Sequence, residues 1–107
     1  MSLTINIIYK GKNGSAKAFA LEMISSGIVG QIREEDGNLG YDYYFPLEDN
    51  ESVLLIDSWV NQEALDRHHA SPLMKQIAAL REKYDLHMVV KKYSSIEDER
   101  DERFIRK

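Results

Sequence analysis

The residues best suited to chemistry lie in one stretch, VLLIDSWVNQEALDRHHASPLMKQIAAL, from Val53 to Leu80. It holds an acid (Asp57), the only tryptophan (Trp59) and two adjacent imidazoles (His68 and His69). Imidazole titrates near neutrality, which suits it to moving protons at physiological pH. A carboxylate among apolar neighbours is costly unless it is paired or hydrogen-bonded, so Asp57 is expected to have a partner or to sit at a sheet margin. The plain alternative for His68 is a packed or surface histidine. Metal binding is the other chemistry these residue types suggest, with His68, His69, His87 and Asp57 as the available ligands. Adjacent helical histidines point about a third of a turn apart and rarely share one ion, so no metal site is expected.

The elements that must position these side chains follow from their spacing. Val53 to Val60 reads as a strand, with Val53, Leu55, Asp57 and Trp59 on one face and Leu54, Ile56, Ser58 and Val60 on the other. Asn61 suits an N-cap and Glu63 the first turn of the helix that follows. Leu65 precedes the histidines by three and four residues, so both imidazoles flank the buried side. Ser71-Pro72 restarts a helix in a new direction, and Leu73, Ile77, Leu80 and Tyr84 give it an apolar stripe.

The rest of the chain supplies the remaining elements. Leu3 to Tyr9 is a β-branched strand with Leu3, Ile5, Ile7 and Tyr9 on one face and Thr4, Asn6 and Ile8 on the other. Asn6 reads either as a surface residue or as a polar handle in a cavity. After a KGKNG turn, Ser15 is placed to cap a helix whose stripe is Ala16, Phe19, Ala20, Met23 and Ile24. Ile28 and Ile32 extend that helix past Gly27 and Gly30, with room for a kink, to about Glu35. Leu39 to Leu47 is a strand with Tyr41, Tyr43 and Phe45 on one face, placed at an edge or ended by Pro46. Its tyrosines suit core packing or a subunit interface, or alternatively an aromatic pocket. Glu48 to Ser52 is an acidic hairpin loop, and Leu86 to Tyr93 is the last strand, with His87 a structural or surface residue. Residues 94–107 form a charged tail, in which Phe104 and Ile105 suggest docking on the body or on a partner subunit.

Composition narrows the function classes. At 107 residues the chain suits one hydrophobic core, and its 43% hydrophobic and 30% charged residues are ordinary for a globular domain. A net charge of −4 argues against nucleic-acid binding, which needs clustered Lys and Arg. No apolar run approaches the length of a membrane span, and no basic start followed by an apolar core argues for export. With no cysteine there is no disulfide or thiolate chemistry, and a cytoplasmic location is expected.

The element order, βαββαβ, predicts an α+β, ferredoxin-like domain over residues 1–93: a four-stranded antiparallel sheet with its helices on one face. Strands one and three carry bulky residues on both faces. The uncovered face would be a larger apolar patch than soluble proteins usually leave wet, and a homodimer with sheets face to face is expected to cover it.

The sequence also resembles the antibiotic biosynthesis monooxygenase (ABM)-like family of small dimeric α+β barrel proteins, which includes quinol monooxygenases. The resemblance runs from Leu3 to Tyr93. It is carried by the N-terminal strand, by REEDGNLGY from Arg33 to Tyr41, and by DSWVNQEALDRHHASPLM from Asp57 to Met74. Asp57, Trp59 and His68 match the family pattern of an acid two residues before a tryptophan and a histidine before a small-residue-and-proline step. Asp57 stands where a longer glutamate is commoner. The resemblance implies oxygenation of an electron-rich phenol, quinol or polyketide-like aromatic with no flavin, haem or metal cofactor. It makes His68 the base and Asp57 a residue that orients it if strand and helix approach closely. Trp59 and Tyr41 would wall a substrate cavity, joined by Asn6 and Tyr43 as further substrate-binding candidates. A haem-degrading branch of the superfamily has tryptophan at the position of His68 and a haem-ligating histidine at the position of Ala78, so haem is not expected. The rival reading is a non-catalytic dimer that binds a small ligand, or regulates, through the same cavity.

Overall fold

The alternation of the strands and the stripes of the helices are realised in a computed structural model that describes residues 1–107. Four strands, β1 (Leu3–Lys10), β2 (Asn38–Tyr44), β3 (Ser52–Trp59) and β4 (His87–Ser94), form one antiparallel sheet in the order β2-β3-β1-β4. Helices α1 (Ser15–Ser25) and α2 (Ile28–Arg33) connect β1 to β2, and α3 (Gln62–His69) and α4 (Leu73–Lys83) connect β3 to β4. This is the expected ferredoxin-like arrangement. The core lies between sheet and helices, where Ile5, Ile7, Tyr9, Leu55 and Trp59 meet Phe19, Met23, Ile32, Leu65 and Ile77. In β3, Ser52, Val53, Leu55, Asp57 and Trp59 are buried, while Leu54, Ile56 and Ser58 are only half-buried on the uncovered face.

Several local expectations hold for stated reasons. Asn61 accepts the Ala64 amide at 2.9 Å and so caps α3. Ser71 Oγ accepts the Leu73 amide at 3.1 Å at the restart into α4. Others are corrected. The single long helix is two, because Gly27 adopts a left-handed conformation (φ 86°) that ends α1 and turns the chain into α2. Gly14 rather than Ser15 stands at the start of α1, and the Ser15 hydroxyl accepts the Lys12 amide instead. β2 stops at Tyr44, short of Leu47, leaving Phe45 and Leu47 exposed in the hairpin loop. In the tail, Glu99–Phe104 forms a 3-10 helix with no buried residue, and the side chains of Phe104 and Ile105 are exposed in the single chain, where docking on a partner subunit stays an expectation.

Candidate active site

Three elements converge on His68. Residues Ala64, Leu65 and His68 make the buried side of α3, and His68 is 4% exposed. Its ring stacks on the indole of Trp59, with centroids 4.7 Å apart and planes inclined by 27°. Tyr41 approaches it edge-on from β2 at 6.3 Å. The third contribution is Glu35, in the turn between α2 and β2. Its Oε1 lies 2.9 Å from His68 Nδ1. Gly37 brings that turn close enough. At φ 84° it runs so near α3 that a Cβ would stand 2.5 Å from the Ala64 Cβ, and its carbonyl accepts the Val60 amide at 2.9 Å. Only glycine fits such an approach.

The hydrogen bonds divide the polar residues differently from expectation. Asp57 bonds to Trp59, not to His68: the indole Nε1 donates to Oδ2 at 2.7 Å. The short aspartate side chain is satisfied two residues along its own strand, and the orienting carboxylate of His68 comes from Glu35. Nothing in its spacing ties Glu35 to His68, although it lies within the REEDGNLGY stretch that carries the family resemblance. Glu35 and His68 are 33 residues apart, and only the packing of the α2–β2 turn on α3 joins them. His68 Nε2 has no partner in the chain and is not fully sealed from solvent.

Burial acts strongly on this interior. It raises the Asp57 carboxyl above its ordinary range, against the opposing bond from Trp59 and the neighbouring His68 and His69. Burial likewise raises the hydroxyls of Tyr41 and Tyr43, and that of Tyr9 although Arg81 donates to it at 2.8 and 3.2 Å. These tyrosines are therefore neutral donors at physiological pH.

The candidate residues are not all brought together. Tyr41, Tyr43, Asp57, Trp59 and His68 share the helix-covered side, with Tyr41 and Tyr43 edge-to-face at 5.9 Å. Asn6 is on the opposite, uncovered face, paired in register with Ile56 and Lys91, because it alternates with the buried Ile5 and Ile7. It does not share a site with His68 within one chain. Trp59 and Tyr41 are packed side chains, 0% and 2% exposed, and do not wall an open cavity. The open clefts lie elsewhere: about 490 Å³ between the start of α1 and the 45–51 loop, about 360 Å³ around Lys10, Lys12 and His87, and about 300 Å³ in the tail. His69 is exposed, its ring tilted against His68 at 5.6 Å. No three His, Asp or Glu side chains converge as a metal site would require. No helix is long and apolar enough to cross a membrane.

The family model for antibiotic biosynthesis monooxygenases matches residues 2–80, which contain Glu35, Asp57, Trp59 and His68. The chain belongs to this family. Solved structures share the ABM fold. A candidate antibiotic biosynthesis monooxygenase from Deinococcus radiodurans superposes with a TM-score of 0.77 at 20% identity, covering 92% of this chain and 95% of the other. A protein from Pseudomonas aeruginosa gives 0.76 at 23% identity over 90% and 95%. SnoaB, a cofactor-independent oxygenase from Streptomyces nogalater, gives 0.74 at 12% identity over 92% and 96%. No curated protein matches the sequence. At these identities the ABM structures establish the shared fold, and the chemistry has to be argued from this chain's own residues.

Proposed function

We propose that this ABM-family chain is an oxygenase of a small electron-rich aromatic, a quinol, phenol or polyketide-like ring, with His68 as the base. The observation that carries the reading is the contact between His68 Nδ1 and the Glu35 carboxylate. A carboxylate accepts the Nδ1 hydrogen, which leaves the lone pair on Nε2, the nitrogen without a partner. Nε2 can then take the proton of a phenolic hydroxyl. The phenolate passes an electron to O₂, and the carbon–oxygen bond that follows turns a ring C–H into C=O. One oxygen atom stays in the product. The other leaves as water with the hydrogens lost from the phenol and the ring. The substrate supplies all four electrons, so the balance needs no redox cofactor. The protein's part is to supply the base, to orient the ring and to keep water away from the intermediate.

In the same reading two copies pair through their uncovered sheet faces, closing a barrel around Ile8, Leu54 and Ile56. The test is oxygen uptake by the purified protein with a panel of quinols and hydroxylated aromatics. His68→Ala is expected to lower uptake at least tenfold with the dimer intact, and Glu35→Gln to lower it less, since the imidazole remains. Uptake unchanged in His68→Ala would rule out the proposed base.

A second reading is a dimer that binds a small ligand at the same site without turnover. It predicts that quinols raise the melting temperature of the protein while oxygen uptake stays at the buffer rate.

A further inference from the structure

The buried carboxylate of Asp57 is more than its hydrogen bond requires. Its Oδ2 accepts the Trp59 indole hydrogen at 2.7 Å, and an asparagine amide oxygen would accept the same hydrogen without a charge. Oδ1 has no partner, and Asp57 enters no ion pair with any Lys, Arg or His. A charge held in the helix-covered interior without a paired cation is costly, and the cost calls for an explanation. Burial opposes the charged form, while the indole bond and the neighbouring His68 and His69 favour it. The path from the carboxylate leads to His68. The indole that gives its N–H to Asp57 gives its face to the imidazole, with centroids 4.7 Å apart and planes inclined by 27°. An aromatic face stabilises a cation, tryptophan most of all, and more so where water is excluded. His68 is 4% exposed. Hydrogen bonds polarise the groups they join, so the carboxylate makes the indole a richer face for a cation. The group that can become a cation against that face is His68.

We propose that Asp57 and Trp59 together form the counter-charge for the imidazolium that His68 becomes, the carboxylate supplying the charge and the indole face passing it on. The inference rests on the reading of His68 as the base. In that reading the phenolic O–H bond breaks, an N–H bond forms at Nε2, and a positive charge appears on a ring that was neutral. No electron changes hands in this step. Two carboxylates then meet the charge: Glu35 at Nδ1, 2.9 Å away, and Asp57 through the indole. They come from the α2–β2 turn and from β3. From β2, Tyr41 meets the ring edge-on as a neutral phenol. On α3 itself, His69 tilts against the ring, and Arg67 turns to Asp36 at 3.7 Å. Asp57 touches no substrate. It is a positioning residue, set before the reaction where charge will develop.

Titration of the imidazole rings followed by NMR tests this without any ligand. The chain has three histidines, and His69→Gln and His87→Gln assign the His68 signal. Asp57→Asn keeps an acceptor for the indole and removes the charge. Its His68 ring is expected to take up its proton at a pH lower than in wild type by about 0.5–1 unit. Trp59→Phe removes both the bond and the indole face, and lowers that pH at least as far. An Asp57 that merely holds the indole in place would leave the titration of Asp57→Asn where it is in wild type, and that result overturns the proposal. So does a titration that moves to higher pH in either variant. With a quinol that the wild type oxidises, the acid limb of the pH–rate profile is expected to move down together with the titration. Circular dichroism checks folding. Should Asp57→Asn not fold, Trp59→Phe decides, and an unmoved titration there overturns the proposal. A titration that moves in protein that takes up no oxygen removes the chemistry of His68 and keeps the counter-charge; uptake with an unmoved titration does the reverse.

Discussion

The two faces of the sheet are made by alternate residues of the same strands, yet they follow different rules. On the helix-covered face, Val53, Leu55, Asp57 and Trp59 are sealed, and each polar atom is either bonded or stands out as an orphan. On the uncovered face, Thr4, Asn6, Ile8, Leu54, Ile56 and Ser58 are half-buried. Thr4 and Ser58 exchange a hydrogen bond of 2.9 Å there, and aliphatic side chains sit beside polar ones. Withdrawal from water makes the difference. Where water is excluded, an unpaired oxygen is expensive and its position carries information. Where water still reaches, the same atom types carry little information, and the aliphatic area argues for a second protein surface.

Substitutions on the two faces should accordingly fail in different ways. The largest effect is expected from Trp59→Ala, which removes a fully buried indole that packs His68 and holds Asp57. It should cost about 3–5 kcal/mol of stability, read as a lower urea midpoint at unchanged slope. Ile56→Lys, on the uncovered face, should instead leave far-UV circular dichroism unchanged and shift the protein to monomer in sedimentation, weakening self-association by tenfold or more. If Ile56→Lys unfolds the chain while Trp59→Ala does not, the contrast between the faces is wrong.

A smaller effect, and one that depends on pH, is expected at Asp57. Burial raises its carboxyl in the folded state above the ordinary value of 3.8. The unfolded chain therefore releases this proton first. The stability associated with the protonated form is fully present below that value and is lost as pH rises through the higher folded value. Asp57→Asn keeps an acceptor for the Trp59 indole and cannot ionise. It should melt higher than wild type at neutral pH, with the gap closing as pH falls below about 4. A gap that widens in acid would reverse the assignment. The smallest effect belongs to Asp42→Ala. Asp42 pairs with Arg33 at 3.0 Å, but both side chains are about half exposed (50% and 54%). Its loss should change stability by less than about 1 kcal/mol.

Much of the frame was legible in the residue order. Period-two alternation put Asp57 and Trp59 on one face and Asn6 on the opposite side from Ile5, and Asn61 and Ser71-Pro72 marked the helix starts. The break at Gly27 was less legible, since Ile28 and Ile32 continue an apolar stripe straight across it. The site was legible in its members and not in its bonds. His68 was marked by its place beside Leu65 and by the family pattern. The family resemblance pointed to Asp57 as the residue that orients it, whereas the carboxylate at its Nδ1 is that of Glu35.

The sequence alone determined which side chains face inward, because alternation and helical spacing are local consequences of backbone geometry. It determined the ferredoxin-like order of elements for the same reason. The tertiary structure alone decided which inward-facing groups bond to one another. Glu35 reaches His68 because Gly37 lets one turn press against α3. Asp57 serves Trp59 because its short side chain finds the indole first. The Tyr43 hydroxyl and Asp57 Oδ1 are left over because the register of β2 on β3 sets them on a diagonal. Hydrogen bonds between distant segments depend on distances of a few tenths of an ångström, and only the packing of those segments sets such distances.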